Sequence, residues 1–281
     1  MSAPGCEWHC RDRKLKWPGA VCIMGILNVT PDSFSDGGRY ESTEKALAQA
    51  RRMIAEGAGI IDIGGESTRP GAVSVPVDEE LRRVIPVIRE LAAEQEILLS
   101  VDTAKAAVAQ AAIAAGAHII NDVTAMTGDP AMADVVRDTG AGVVLMHMQG
   151  TPRDMQSAPH YGDVVGEVYR YLHERLDAVC AAGIRRECCA IDPGIGFGKN
   201  AGHNIELLKG LSRFAQALRP VVLGASRKSI IGHLTGRQAT GERLAGSLAV
   251  AAMAVQQGVQ IIRVHDVRAS IDAVRVAEAL K

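Results

Sequence analysis

Aromatic residues are scarce in this chain, at 3% of 281 residues, although hydrophobic residues reach 47%. A core of that composition is built from Ala, Val, Ile and Leu, the usual filling of a parallel sheet wrapped by helices. Excess charge is absent too: the formal net charge is -1, and the isoelectric point is near 6.7. That excludes a broad basic field for a nucleic-acid backbone and a polybasic face for a membrane, so any anion bound here is small and locally held. The sequence shows neither a charged-then-apolar leader nor an apolar run of the ~20 residues that cross a bilayer, which sets the expectation of a soluble, cytoplasmic protein. The six cysteines, Cys6, Cys10, Cys22, Cys180, Cys188 and Cys189, lack the density of a secreted disulfide framework. Only "CEWHC" near the start offers metal ligands, and its spacing is not that of a standard zinc site. A disordered tail with free thiols is the simpler expectation there, and Cys188 and Cys189 read as strand residues.

What the chain does have is alternation. Eight short Val/Ile-rich runs, "VCIMGILNV", "GIIDIGG", "ILLSVD", "HIINDV", "GVVLMHM", "CCAIDPG", "VVLGAS" and "VQIIRVHDV", are each followed by a loop and an Ala-rich helical stretch. Strand alternating with helix requires right-handed crossovers and a parallel sheet. Eight such units in about 250 residues predict a single-domain α/β fold, the (β/α)8 barrel, rather than an open doubly wound sheet. The barrel is expected over residues 18–281, with residues 1–17 as an N-terminal extension. The segments after the first two runs, "TPDSFSDGGRY" and "ESTRPGAVSV", are long and rich in Gly, Pro and Ser, which marks functional loops.

Barrel enzymes place their sites at the C-terminal ends of the strands, and here the apolar runs end in polar residues. They are Asn28, then Glu66, Ser67, Thr68 and Arg69, then Asp102, Asn121 with Asp122, His147, Asp192, the trio Ser226, Arg227 and Lys228, and finally Arg263, His265 and Asp266. Asp122 and Asp266 serve equally well as helix caps. His147 reads as a satisfied core histidine, with Met146 in a pocket wall. Arg263 and His265, two apart on one strand, point the same way and suit a phosphate or carboxylate. Asn28, on the run next to theirs in a closed barrel, offers a neutral oxygen suited to Mg2+ that takes most of its ligands from water and a polyphosphate. Asp102, Asn121 and Asp192 fit the edge of a flat heterocycle. Lys228 then takes a ring carbonyl or, with a pKa lowered by Arg227, forms an imine. "GIGFGKN" misses the spacing of a phosphate-binding loop and reads instead as a flexible turn that brings Phe197 close to a ligand.

Taken together, "MGILNVTPDSFSDGG", "IIDIGGESTRPGA", "SVDTAK", "HIINDV", "LMHMQG", "DPGIGFGKN", "SRKS" and "IIRVHDV" closely resemble, in order, the dihydropteroate synthases, folate-pathway enzymes targeted by sulfonamides. The resemblance runs from about residue 21 to the end. It implies condensation of p-aminobenzoate with hydroxymethyl-dihydropterin diphosphate through a cation-like transition state. It assigns Asp102, Asn121, Met146, Asp192, Gly224 and Lys228 to the pterin, and Asn28, Thr68, Arg263 and His265 to the diphosphate. Mg2+ would sit at Asn28. Phe34, Thr68, Arg69, Pro70, Phe197, Ser226 and Lys228 would shape the p-aminobenzoate site, with Asp102, Lys228, Arg263 and His265 catalytic. "SFSDGG" lacks the insertion after Phe that some sulfonamide-resistant relatives carry. The family is usually dimeric, and "LAGSLAVAAMAV" is apolar on nearly every face, as a homodimer interface would be. Two alternatives from other classes are a pterin-binding methyltransferase domain of the corrinoid-dependent type and a non-catalytic pterin carrier. Both lack use for a diphosphate clamp.

Overall fold

The computed structural model describes residues 6–17, 19–30, 39–68, 71–94, 97–216 and 219–281. After a hairpin of β1 (Cys6–Cys10) and β2 (Arg13–Trp17), the chain runs through eight parallel strands: β3 (Cys22–Asn28), β4 (Ile60–Gly64), β5 (Leu98–Asp102), β6 (Ile119–Asp122), β7 (Gly142–Met146), β8 (Cys189–Asp192), β9 (Val222–Leu223) and β10 (Ile261–Val264). Their order is β8-β7-β6-β5-β4-β3-β10-β9. A parallel bridge from Ile191 to Val221 joins the two ends, so the sheet closes as the (β/α)8 barrel that the eight runs predict.

The outer layer is α1 (Arg39–Ala55), α2 (Val77–Glu94), α3 (Ala106–Ala114), α4 (Met132–Thr139), α5 (Val164–Ala181), α6 (Ala201–Lys209), α7 (Leu211–Ala215), α8 (Ser229–Thr235), α9 (Leu244–Gln256) and α10 (Val267–Ala279). Among the described residues, no helix is long and apolar enough to cross a membrane.

Strand parity positions the site. Met24, Ile60, Ile119, Val144, Ala190, Val222 and Ile261 form one buried cluster at the lower end of the lumen. Side chains repeat a face every second residue, so the next lumen layer is Ile26, Asp62, Ser100, Asn121, Met146, Asp192, Gly224 and Arg263. The layer above it holds Asn28, Gly64 and Asp102, which lie in neighbouring register. The intervening residues, Ile61, Ile63, Val101, Ile120, Val143, Leu145 and Ile191 among them, face the helices in a separate, larger core.

The disordered tail expected at "CEWHC" is an ordered hairpin instead. Trp8 and Cys10 are fully buried in the lower lumen cluster, and the Trp8 indole N–H donates to Cys188 O at 2.8 Å. At the hairpin turn Arg11 donates to Ile113 O and Ala117 O at 3.1 and 2.9 Å, satisfying carbonyls at the C-terminal end of α3. Burying a Trp side chain of 150–250 Å2 at roughly 25 cal/mol/Å2 is worth roughly 4–6 kcal/mol, which orders the segment. The five cysteines whose side chains are described carry free thiols. Among the described residues no cluster of three His, Cys, Asp or Glu could hold a metal ion.

Candidate active site

At the centre of the upper lumen lies Arg263. Its Nε donates to Asp62 Oδ2 at 2.6 Å and its Nη2 to Asp102 Oδ2 at 2.6 Å, while Asn121 Nδ2 donates to Asp62 Oδ2 at 3.0 Å. The guanidinium that the sequence presents as seeking an anion is therefore already shared by two carboxylates. Its Nη1 has no partner among the described residues. Asp62 was not among the expected site residues. It is fully buried, inside a strand rather than at its end, and the signal for it was the one carboxylate in the apolar run "IIDIGG".

Three buried acceptors in the two upper layers of the lumen have no hydrogen-bond partner among the described residues: Asp62 Oδ1, Ser100 Oγ and Asp102 Oδ1. Each such atom costs about 1–3 kcal/mol if left unmet. Gly224 keeps the space beside them open, since a Cβ there would stand 3.8 Å from Arg263 Cδ and 3.9 Å from both Asp192 Oδ2 and Lys228 Nζ. The floor thus presents carboxylate and hydroxyl acceptors around a slot walled by Asp192, Lys228 and Arg263, which is what a flat molecule with several N–H donors on one edge requires.

Charge in this layer is strongly shaped by burial. Burial pushes the Asp102 carboxyl from 3.8 up to about 7, with Arg263 pulling against it and Asp62 adding to it. Asp192 is also raised by burial, against the pull of Lys228 and of the Gly194 N–H, which donates to Asp192 Oδ1 at 2.7 Å. Lys228 is lowered to about 8 by burial, with Asp192 opposing. For Arg263 burial works against the charge, but Asp62 and Asp102 outweigh it and hold its pKa above the usual value.

Lys228 Nζ donates to Ile195 O and lies 4.5 Å from the centroid of the Phe197 ring. Arg227, expected as a possible helper for Lys228, turns away: its fork pairs with Asp266 at 2.9 and 2.5 Å. Asp266 is thereby committed to Arg227, and its side chain does not cap α10. Asp122 holds the turn after β6, accepting from Thr124 N at 2.8 Å and Met126 N at 3.0 Å. Met146 is buried at the end of β7, 3.3 Å from where a Gly194 Cβ would be.

His147 is a satisfied core histidine: its Nδ1 is 2.9 Å from Lys199 Nζ, its ring packs edge-on to Tyr171, and burial followed by the Lys199 charge lowers its pKa to about 3. The expected flexible turn "GIGFGKN" is extensively hydrogen-bonded, because buried side-chain donors hold its carbonyls.

At the mouth, His265 lies just beyond β10, half-buried, with Nδ1 3.0 Å from Ser226 Oγ. Asn28 ends β3; a Cβ on Gly64 would stand 3.8 Å from both Asn28 Oδ1 and Asp102 Oδ2, so the two oxygens flank one point on the rim. Thr68 is half-buried near the start of the second loop. Phe34, Arg69 and Pro70 lie outside the described residues. At the base of the second loop Lys105 Nζ donates to Glu66 and, at 2.5 Å, to the fully buried Glu80. That anchor was not expected from the sequence.

Residues 24–265 match the family model described as pterin binding enzyme. The chain is 51% identical over 257 residues to the dihydropteroate synthase of Escherichia coli, covering 92% of this chain and 90% of that protein. A Xanthomonas albilineans dihydropteroate synthase solved with 4-aminobenzoic acid superposes with TM-score 0.92 at 50% identity, covering 99% of this chain and 98% of the other. A Yersinia pestis dihydropteroate synthase solved with a sulfonamide drug superposes with TM-score 0.91 at 45% identity and 98% coverage of both. The chain belongs to the pterin binding enzymes and, among them, to the dihydropteroate synthases.

Proposed function

We propose that this enzyme condenses p-aminobenzoate with hydroxymethyl-dihydropterin diphosphate, giving dihydropteroate and diphosphate by alkyl transfer. The observation that carries the substrate reading is the set of orphaned acceptors, Asp62 Oδ1, Ser100 Oγ and Asp102 Oδ1, beside Asn121 and Asp192. A dihydropterin brings the ring N–H and amino donors that these atoms lack.

The methylene carbon–oxygen bond breaks with its electron pair leaving on the diphosphate, and the amine lone pair of p-aminobenzoate forms the new carbon–nitrogen bond. The amine then loses one proton. Arg263, which keeps its Nη1 N–H groups after serving two carboxylates, and His265 stabilise the leaving anion, while ionised Asp102 offsets positive charge growing on the pterin. Neither a covalent nucleophile nor a dedicated general base is needed. Asn28 Oδ1, a single neutral oxygen without a partner among the described residues, suits a Mg2+ completed by water and diphosphate, which when bound neutralises leaving-group charge. Phe34, Thr68, Arg69, Pro70, Phe197, Ser226 and Lys228 form the p-aminobenzoate seat, where sulfonamides compete.

Exposed Leu234 and Leu244, with Met253, Val276 and Leu280, lie on or next to α8, α9 and α10, and these exposed apolar side chains support a homodimer. Light scattering that returned a monomer at micromolar concentration would remove that part. Free thiols fit a reducing, cytoplasmic setting.

The decisive assay couples diphosphate release to p-aminobenzoate addition. Release is expected with the native enzyme and absent in Arg263→Ala, whose circular dichroism stays native. Unchanged turnover in that variant would sink the anion clamp, and no release from the native enzyme would favour a methyl-transferring pterin domain.

A further inference from the structure

Lys199 has an ionisable side chain that is only 2% exposed, and the reaction above does not use it. Its Nζ lies 2.9 Å from Gly194 O, 2.9 Å from Phe197 O, 2.9 Å from His147 Nδ1 and 3.2 Å from His147 O. None of these partners is charged. Burial holds its pKa well below the usual lysine value, and two carbonyls with the His147 ring nitrogen satisfy the amine whether it carries two protons or three, so it is placed by loop backbone and not by a counter-ion.

The loop it enters has an unusual backbone. Gly194, Gly196 and Gly198 have φ of 68°, 82° and 63°, so every second residue is left-handed, a path side chains with a Cβ rarely follow. The alternation throws the loop carbonyls outward, and each one from residue 194 to 198 is taken by a side chain. Lys199 takes Gly194 O and Phe197 O, Lys228 takes Ile195 O, Gln156 takes Gly196 O at 2.7 Å, and Tyr161 takes Gly198 O at 2.9 Å. Lys199 alone holds two, one at each end of the turn that carries Ile195 and Phe197. Those two residues in turn set the Lys228 amine, through the Ile195 carbonyl and the Phe197 ring face.

We infer that Lys199 is a positioning residue for p-aminobenzoate: its buried amine fixes the turn that presents the Phe197 ring and seats Lys228. The inference rests on the reading of Phe197 as a wall of the p-aminobenzoate seat. Asp192 and Lys228 border this turn, but Asp62, Ser100, Asp102 and Asn121 of the pterin floor stand on other strands, so pterin affinity depends less on the turn than p-aminobenzoate affinity does.

Lys199→Met keeps the methylene stem and removes the donors. Steady-state kinetics of diphosphate release are expected to show KM for p-aminobenzoate raised about tenfold, the size of one lost buried hydrogen bond, with kcat and the pterin-diphosphate KM within about threefold of native. An equal change in all three constants, or none in the p-aminobenzoate KM, overturns the proposal. Phe197→Leu separates the two layers of inference. If it leaves the p-aminobenzoate KM unchanged, the Phe197 reading falls and takes the proposal with it; if it raises that KM while Lys199→Met does not, only the positioning role falls. Should Lys199→Met be insoluble, Tyr161→Phe and Gln156→Ala each strip one donor from the same loop. Each is expected to raise the p-aminobenzoate KM about twofold to threefold at constant kcat, and no change in either overturns the proposal.

Discussion

Asp62→Asn removes one negative charge from the lumen floor without changing its shape, and its effect can be worked from the Arg263 geometry. Asp62 Oδ2 and Asp102 Oδ2 each lie 2.6 Å from a nitrogen of the same planar guanidinium, which keeps the two oxygens within roughly 7 Å of each other. Two unit charges at that separation, in an effective dielectric near 20, interact by roughly 2.4 kcal/mol, or a little under two pH units of titration. Asp62 raises the Asp102 pKa, so its neutralisation lowers it, by roughly one pH unit once residual screening is allowed for. In the proposed mechanism Asp102 acts as the ionised form, so native kcat/KM for the pterin diphosphate is expected to fall as pH drops through about 7. In Asp62→Asn the same fall occurs at lower pH.

The assay is kcat/KM for the pterin diphosphate at saturating p-aminobenzoate across neutral and mildly acidic pH, native and variant side by side. The substrate's own diphosphate titration is common to both and cancels in the comparison. Stability gives a second readout. Asp102 keeps its proton to about 7 when folded against an ordinary 3.8. The stability carried by the protonated form is therefore complete below the lower value and lost as pH rises through the upper one. In the variant that loss is over at lower pH. Superimposed activity profiles, or an acid limb displaced upward, would refute the coupling of the two carboxylates through Arg263.

Two further outcomes follow from other parts of the molecule. Isothermal titration should show p-aminobenzoate binding only when pterin and diphosphate are already present, because the proposed seat includes residues of the segments that follow the first two barrel strands; equal binding with and without them would break the ordered scheme. Trp8→Ala should cost about 3–5 kcal/mol by cavity formation, lowering Tm by about 10 °C at this chain length, while kcat/KM stays within about twofold because the hairpin lies at the opposite end of the lumen; an unchanged Tm would contradict the plug.

The architecture was legible because it depends on period: eight apolar runs of strand length, each followed by a helix, leave little else to build. The gathering of polar residues at the strand ends was legible for the same reason. What the sequence hid is pairing across distance. Arg263 reads as a base pointing into the lumen, but Asp62 and Asp102, 201 and 161 residues earlier in the chain, become its partners only once eight strands are in register. Trp8 lies in a short polar-looking segment, and the surface that buries it is assembled from seven different strands. Lys199 lies in a glycine-rich loop that suggests a phosphate-binding loop, where lysine meets an anion; here three left-handed glycines turn carbonyls onto it instead.

Asp62 shows how closely fold and function are tied. Its parity with Ile60 puts it in the lumen, and the same parity on the other strands carries Asn121, Asp192 and Arg263 above Ile119, Ala190 and Ile261. Slipping any of these strands by one residue would exchange its lumen and helix-facing sides. An apolar residue would then enter the floor, and a carboxylate or guanidinium would be forced unpaired into the outer core, at several kcal/mol for each charge. The apolar layer around Trp8 and the polar layer above it therefore select the same register. The residues proposed to bind the pterin are also the ones that make alternative pairings of the barrel strands costly, so substituting them tests folding fidelity as well as catalysis. For this reason Asp62→Asn, which keeps volume and one oxygen for Arg263 and Asn121 while removing charge and turning the second acceptor into a donor, is a more discriminating variant than Asp62→Ala or Asp62→Leu.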